Sequence, residues 1–353
     1  MDTIFKILSL DRARVKWEKY LRALTPVEKI GDWYFKREDK FAPLGYGGVN
    51  GSKLRQLIWL VSKAAQNGAH GVVGGAVSGS PQHLMLAVVA SHYGLPAITV
   101  CGSADWTKYP MLKMARGAGA TLHLSKCGYA KTLEHDAFKL AKENDYWPLE
   151  TNITLSEKRN TDEEISAFHA LGAHQVENVP GDVETLVIAA GSCNSVVSVL
   201  YGITAYRPKH LKRVVLMGVG AHGSIDPEYV YDRLRRVDPG LPGQFRPHFL
   251  QDPSREPAGN YRKAAYDLYH VNVNHGCGVG ACCAGGYCVY NDLMPYNYHG
   301  VEFHPRYEGK VFSFMRDHPA LMKKALGRVP KLFWVIGSEP KEDAMRPFYR
   351  RGK

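Results

Sequence analysis

Several short stretches of this chain combine residue types that do chemistry. The first is Gly47-Gly48-Val49-Asn50-Gly51-Ser52-Lys53-Leu54-Arg55, a glycine-rich turn that delivers one lysine to the start of a helical pattern. Glycines let a bulky ligand approach the backbone closely. A lysine at a helix N-terminus sits in a locally positive field that disfavours its charged form. A neutral amine is the form that condenses with a carbonyl cofactor to a Schiff base. The alternatives are a loop that grips phosphate and a solvated lysine. The Gly-Lys-Ser/Thr order of a Walker A loop is absent.

Gly191-Ser192-Cys193-Asn194-Ser195 lies between an apolar strand pattern and a helical one. Successive backbone N–H groups at a helix start hold a dianion well, although an ordinary strand-to-helix turn reads the same. Asn194 is the residue of this turn that best tolerates positive φ. A second glycine-rich turn leads into Ser78-Gly79-Ser80-Pro81-Gln82-His83. His83 there binds an anion, shuttles protons or caps a helix start. Lys36-Arg37-Glu38-Asp39 and Tyr307-Glu308-Gly309-Lys310 are dense ionisable runs. Cys277, Cys282, Cys283 and Cys288 follow His275 with the spacing C-x4-C-C-x4-C. That spacing fits no common zinc or iron–sulfur signature, so no metal is expected. Its glycine-rich surroundings predict a close-packed substrate loop with buried thiols.

The elements that must position these groups follow from periodicity. Leu54, Leu57, Ile58, Val61 and Ala65 recur at helical spacing after Lys53, and Gly68 closes that helix. Residues 71–73, 97–100, 121–124, 186–190, 213–218 and 332–336 read as strands. Residues 84–89, 111–117, 129–143, 162–176 and 310–325 read as helices, and another begins at Val196. Residues 1–29 read as a charged helix with an extended lead-in to a strand at 33–35. Strands alternating with helices predict βαβ units and a parallel sheet. Ligands collect at the carboxyl ends of such strands, where each glycine-rich turn lies. From Ser224 to about Val271 the pattern fails in a stretch rich in Pro, Arg and Tyr. No internal repeat or low-complexity linker is present.

Together these runs resemble the pyridoxal 5'-phosphate enzymes of the tryptophan-synthase-β fold, known as fold type II. The nearest likeness is to 1-aminocyclopropane-1-carboxylate deaminase and D-cysteine desulfhydrase. The Lys-Arg-Glu-Asp run, the Lys53-x-Arg55 turn and the Tyr-Glu-Gly-Lys run share that subfamily's order and rough spacing. The likeness spans residues 30–340 and is patchy between 225 and 300. It implies a two-lobed α/β fold with mostly parallel, open twisted sheets flanked by helices. Residues 1–56 and 166–353 would form a large cofactor-binding domain, and 57–165 a small substrate-gating domain.

The resemblance also implies roles. Lys53 is the Schiff-base lysine, and Ser52 stands where the family has an asparagine that contacts the cofactor's ring oxygen. Gly191, Ser192, Cys193, Asn194 and Ser195 stand for a phosphate cup usually written Gly-Ser-Gly-Gly-Thr. Glu308 pairs with the pyridine nitrogen and keeps it protonated, because opposite charges favour each other's ionised forms. A protonated ring is the stronger electron sink. Other branches use a hydroxyl residue there, for which Ser338 is the counterpart. Tyr307 handles protons near the substrate. Ser80, Gln82 and His83 fall in the loop that binds the substrate carboxylate, where Pro81 replaces an asparagine. Two extra residues precede Ser80, so Ser78 competes for its role. Family members are commonly dimers, which implies a homodimer.

The chain has 353 residues, 45% hydrophobic and 22% charged, enough for two lobes with ample core. Its 45 Lys and Arg against 34 Asp and Glu leave a net charge of +11, which favours acidic small molecules or polyanions. Part of that charge lies in a solvated tail at Arg346, Arg350, Arg351 and Lys353. The apolar run Ile4-Phe5-Lys6-Ile7-Leu8 is too short for a signal peptide, and no span long enough to cross a membrane occurs. A cytoplasmic protein without a membrane partner is expected. Seven cysteines suit free thiols in a reducing compartment.

The first functional expectation is a pyridoxal-phosphate enzyme acting at the α-carbon of a small amino-acid substrate by elimination or deamination. A second keeps the cofactor and takes an aminoacyl group attached to a nucleic-acid base, as in hypermodified phage DNA. The charge, the odd 224–300 segment and the altered carboxylate loop suit it. A third is a cofactor-free binding protein on the same fold.

Overall fold

The computed structural model describes residues 21–45, 48–102, 105–156, 158–219, 227–251, 261–273, 293–327 and 330–349. The amino-terminal helix expectation, the four-cysteine run with His275, and Arg350, Arg351 and Lys353 lie outside them.

The chain begins its described part with a hairpin of β1 (Val27–Ile30) and β2 (Trp33–Arg37). Then come α1 (Ser52–Gln66), β3 (Val72–Gly75), α2 (Gln82–His92), β4 (Ala97–Gly102) and α3 (Pro110–Gly117). β5 (Thr121–Ser125), α4 (Ala130–Asn144) and β6 (Trp147–Leu149) follow. Next are α5 (Asp162–Ala173), β7 (Thr185–Ala190), α6 (Asn194–Tyr206), β8 (Arg213–Gly218) and α7 (Pro227–Val237). The remainder is β9 (Phe245–Phe249), β10 (Tyr266–Asn272), β11 (Tyr296–Tyr298), β12 (Val301–Phe303), α8 (Glu308–Asp317), α9 (Pro319–Leu326), β13 (Lys331–Val335) and the short α10 (Glu342–Met345). No described helix is long and apolar enough to cross a membrane.

The chain divides into two compact units, one built on Phe41–Asn160 and the other on Arg22–Lys40 and Thr161–Ser338. The division differs from the expected boundary at residue 57. Helix α1 packs on α2, so Lys53 groups with the residues that follow it.

The first unit carries a four-stranded parallel sheet in the order β5-β4-β3-β6. Val73, Ile98 and Val100 bury one of its faces against Leu133, Ala137 and Ala141 of α4.

The second unit carries a seven-stranded sheet in the order β1-β2-β13-β7-β8-β10-β9, parallel except for β1. Both faces of its central strands are buried, which is why those strands read as continuous apolar runs. Leu186, Ile188 and Ala190 pack with Val214, Leu216 and Leu268 against Val196, Val197, Leu200 and Ile203 of α6. Val187, Ala189, Val215, Met217 and Val271 face the opposite core with Val311, Phe312 and Phe314 of α8. Helix α6 comes close to α5, because a Cβ on Gly202 would lie 2.3 Å from the Ala173 carbonyl oxygen.

Three expectations needed correction. The stretch from Ser224 to Val271 holds a helix and two strands where no pattern was legible. In α7 the apolar stripe of Val230, Tyr231 and Leu234 is diluted by arginines. Strand β9 lies at the sheet edge, where Pro247 costs no ladder bond to a further strand. The single helix expected over 310–325 breaks at His318, because Pro319 starts a new one. The three-residue strand β6 was not anticipated.

Candidate functional site

In the first unit, Lys53 is the second residue of α1. The chain enters that helix at Gly51 with φ 93°, an angle that glycine adopts without strain. Arg55 is fully buried, lays its guanidinium 3.8 Å from the centre of the Phe41 ring and donates to the Leu21 carbonyl. The Lys-x-Arg pair therefore divides its labour. The arginine anchors the helix start, and the lysine takes no part in that anchor.

Lys53 Nζ donates to Gln82 Oε1 at 3.2 Å. The residue as a whole is partly accessible, yet its amine lies deep among protein atoms, and burial lowers its pKa to about 8. Gln82 opens α2, and its Nε2 donates to the Gly75 carbonyl at 3.2 Å. Its backbone N–H donates to Ser80 Oγ at 3.3 Å. Ser78 donates to the Gly102 carbonyl at the end of β4.

His83 does not cap the helix, whose N-cap is Pro81. Its Nδ1 meets Thr99 Oγ1 and its Nε2 meets the Val77 carbonyl at 3.0 Å, so both nitrogens are engaged inside the protein. Burial lowers its pKa to about 4, with the nearby Lys53 charge contributing, and the ring is neutral at physiological pH. Thr99 was not singled out in the sequence, where it reads as an ordinary β-branched strand residue.

In the second unit, residues 191–195 join β7 to α6. The left-handed residue is Cys193, with φ 62°, rather than Asn194, which is the first residue of the helix. Burial pushes the Cys193 thiol up to about 12, so no thiolate forms there to repel an anion. The first N–H groups of a helix lack intrahelical acceptors, which is the setting in which helix starts bind phosphates. Tyr307 flanks this loop, since a Cβ on Gly191 would lie 3.6 Å from the Tyr307 ring.

Glu308 is the first residue of α8 and is 1% exposed. Its Oε1 accepts the Ile336 backbone N–H at 2.8 Å, while Oε2 is buried with no hydrogen-bond partner. Burial raises its pKa to about 8 against the lowering effect of backbone N–H groups at Glu308, Ile336 and Gly337, and the Asp39 charge adds to the rise. Ile336 directly follows β13, which pairs with β7. The Glu308 carboxylate and the 191–195 loop therefore stand at the carboxyl ends of neighbouring strands. Ser338 lies two residues past Ile336.

The Lys36–Asp39 run serves the frame. Lys36 Nζ donates to the Thr25 carbonyl at 2.8 Å and to Asn178 Oδ1 at 2.6 Å, and Glu38 accepts from Thr25 Oγ1 at 2.6 Å. Arg37 and Asp39 form a two-pronged ion pair at 2.9 and 2.6 Å. His304 went unnoticed in the sequence. Its ring packs 4.8 Å from that of Tyr307, and its Nδ1 accepts the Arg306 N–H at 3.2 Å.

The first unit thus presents a buried amine of lowered pKa at Lys53. The second presents a helix N-terminus after residues 191–195 and a buried carboxyl oxygen without a partner at Glu308.

No family model matches the chain. Over 383 aligned residues it is 34% identical to the O-seryl-dTMP PLP-dependent decarboxylase of Salmonella phage ViI, covering 98% of this chain and 88% of that protein. Among solved structures it resembles an ACC deaminase homologue with a TM-score of 0.64, 16% identity and 99% of both chains covered. The processed form of threonine deaminase isoform 2 from Solanum lycopersicum gives 0.54 at 13% identity, covering 98% of this chain and 92% of that one. Maize serine racemase gives 0.54 at 14% identity, with 94% of each chain covered.

Proposed function

Since this chain belongs to the fold type II pyridoxal-phosphate-dependent enzymes, we propose that it decarboxylates the α-carbon of an amino acid carried on a thymidine nucleotide. The observation that carries this reading is the likeness, along nearly the whole chain, to a phage enzyme named for that chemistry. The net charge of +11 supports it, because a nucleotide substrate is anionic.

When bound, pyridoxal 5'-phosphate supplies an aldehyde that takes up an amine and a ring that accepts the electron pair left at the α-carbon. Lys53 would provide the amine that holds the cofactor through that aldehyde until the substrate amine is bound. The bond from the α-carbon to the carboxylate then breaks, and CO2 departs without its electron pair. Lys53, as an ammonium, would return a proton to the α-carbon. A lysine with a pKa near neutrality exchanges that proton readily. Gln82, already bonded to Lys53, keeps the amine oriented. Glu308, with one oxygen unpartnered, would face the ring nitrogen, and Ser192, Cys193, Asn194 and Ser195 would hold the phosphate. Ser78, Ser80 and Gln82 line the loop offered to the substrate carboxylate, with His83 holding that loop through Val77.

The test is to incubate the holoenzyme with an O-seryl thymidine nucleotide and analyse the products by mass spectrometry. Loss of CO2 with retention of the amine nitrogen is expected. Release of ammonia with the carboxylate retained would instead establish the elimination or deamination chemistry of the first sequence expectation.

A further inference from the structure

One pair of buried polar groups in the second unit has no role in the chemistry above. On β10, Tyr266 and Leu268 belong to the core shared with Ala190, Cys193 and α6. His270 and Asn272 continue the same face of that strand, because side chains alternate with period two. The apolar run thus ends in two polar residues at the carboxyl end of the strand, where parallel sheets bind ligands. Register places Asn272 opposite Gly218, and Gly218 opposite Ala190, the residue just before the 191–195 loop. Two strand spacings separate Ala190 from Asn272, about 10 Å.

Each side chain carries buried polar atoms without a hydrogen-bond partner. His270 is 5% exposed, and both its ring nitrogens are buried without a hydrogen-bond partner. Asn272 Oδ1 is likewise buried and unpartnered. Leaving such groups without partners carries their full desolvation penalty, so a ligand that satisfies them gains correspondingly. Both residues are held in place by their surroundings. The His270 ring stacks on Phe249 with centroids 4.8 Å apart and planes 14° from parallel. The Asn272 backbone is clamped by Gln251, which accepts its N–H at 2.6 Å and donates to its carbonyl at 2.8 Å.

The pair carries no charge. Burial lowers the His270 pKa to about 3, so the ring offers one N–H donor and one acceptor, and the amide offers both kinds of group. An uncharged pair of this kind suits a neutral, planar partner with alternating donors and acceptors better than a carboxylate or phosphate. We propose that His270 and Asn272 form a subsite for the imide edge of a pyrimidine base. The Asn272 oxygen accepts the base N3–H, and the amide and imidazole N–H groups donate to the flanking carbonyls. The inference rests on the nucleotide-linked reading above and names the part of the protein that recognises the base.

The test measures equilibrium binding of dTMP and of N3-methyl-dTMP to the holoenzyme, to Asn272→Leu and to His270→Phe. Retention of the bound cofactor's visible absorbance shows that each variant is folded. The wild type is expected to bind dTMP at least about tenfold more tightly than its N3-methyl analogue, the value of one buried hydrogen bond. Asn272→Leu should weaken dTMP by a similar factor and abolish the preference over the methylated analogue. His270→Phe should weaken both ligands, and if it fails to fold, the Asn272→Leu comparison decides alone. Equal affinity of the wild type for the two ligands, or dTMP binding unchanged in Asn272→Leu, overturns the subsite while leaving the nucleotide reading intact. A wild type that does not bind dTMP sinks the nucleotide reading and this inference with it.

Discussion

The Glu308 carboxylate is fastened by one oxygen to the Ile336 amide at the end of β13, and its other oxygen is buried without a partner. A carboxyl group so placed is rigid and has one oxygen left for a ligand. Glu308→Gln keeps the size and the Ile336 bond but removes the charge. Cofactor affinity should remain near normal, with turnover falling about a hundredfold or more, as when a preorganised electrostatic partner is lost. Turnover and a cofactor titration, measured on the same preparation, check this. If Ser338 served the ring nitrogen instead, Glu308→Gln would be silent and Ser338→Ala would be the damaging change.

The same carboxyl group predicts how the cofactor-free protein responds to pH. Its pKa is raised from 4.5 to about 8 by burial, so the folded state keeps a proton that the unfolded state has released. Stability associated with this group is complete below pH 4.5 and is lost as pH rises toward 8. The slope reaches at most about 1.4 kcal/mol per pH unit. Urea unfolding of the apoprotein across that window should show the decline. The decline should be absent in Glu308→Gln, and an identical slope in both proteins would contradict the assignment.

Lys53 titrates in the opposite sense, because burial favours its neutral form. Uptake of the cofactor aldehyde should speed up as pH rises through about 8 and then level off. Stopped-flow absorbance after adding cofactor to apoprotein reads this directly. Lys53→Ala should fold and still bind cofactor, but borohydride should no longer fix it to the chain. An adduct that survives in the variant would place the lysine elsewhere.

Ser195→Ala removes one hydroxyl from the start of α6. Cofactor affinity should fall by about 1 kcal/mol or somewhat more, a typical value for a hydrogen bond to a charged group. Unchanged affinity in a titration would count against the 191–195 loop as the phosphate site.

Helix α6 is set by Gly202. A methyl group there meets the Ala173 carbonyl at 2.3 Å, and backbone cannot step aside as a side chain can. Gly202→Ala should destabilise the protein by about 1–3 kcal/mol, the cost of overpacking, and weaken cofactor binding by shifting the helix start. A melting temperature and cofactor affinity both equal to the parent's would refute this.

The sequence alone determined the alternation of strand and helix, the lysine at a helix start and the glycine turns after strands. Those features are local, since periodicity and turn chemistry act over a few residues. The edge strand β9 and helix α7 were lost because arginines, tyrosines and a proline dilute their patterns. What only the tertiary structure decided is the state of individual polar groups. His83 looked open to an anion, yet Thr99 and Val77 occupy its ring. Arg55 read only as the second half of the Lys-x-Arg turn, and its burial on Phe41 was not legible. Glu308 acquires its raised pKa, and His270 its unpaired nitrogens, from neighbours far away along the chain. Proton affinity and hydrogen-bond satisfaction depend on what is packed around a group, and that is settled only when distant segments meet.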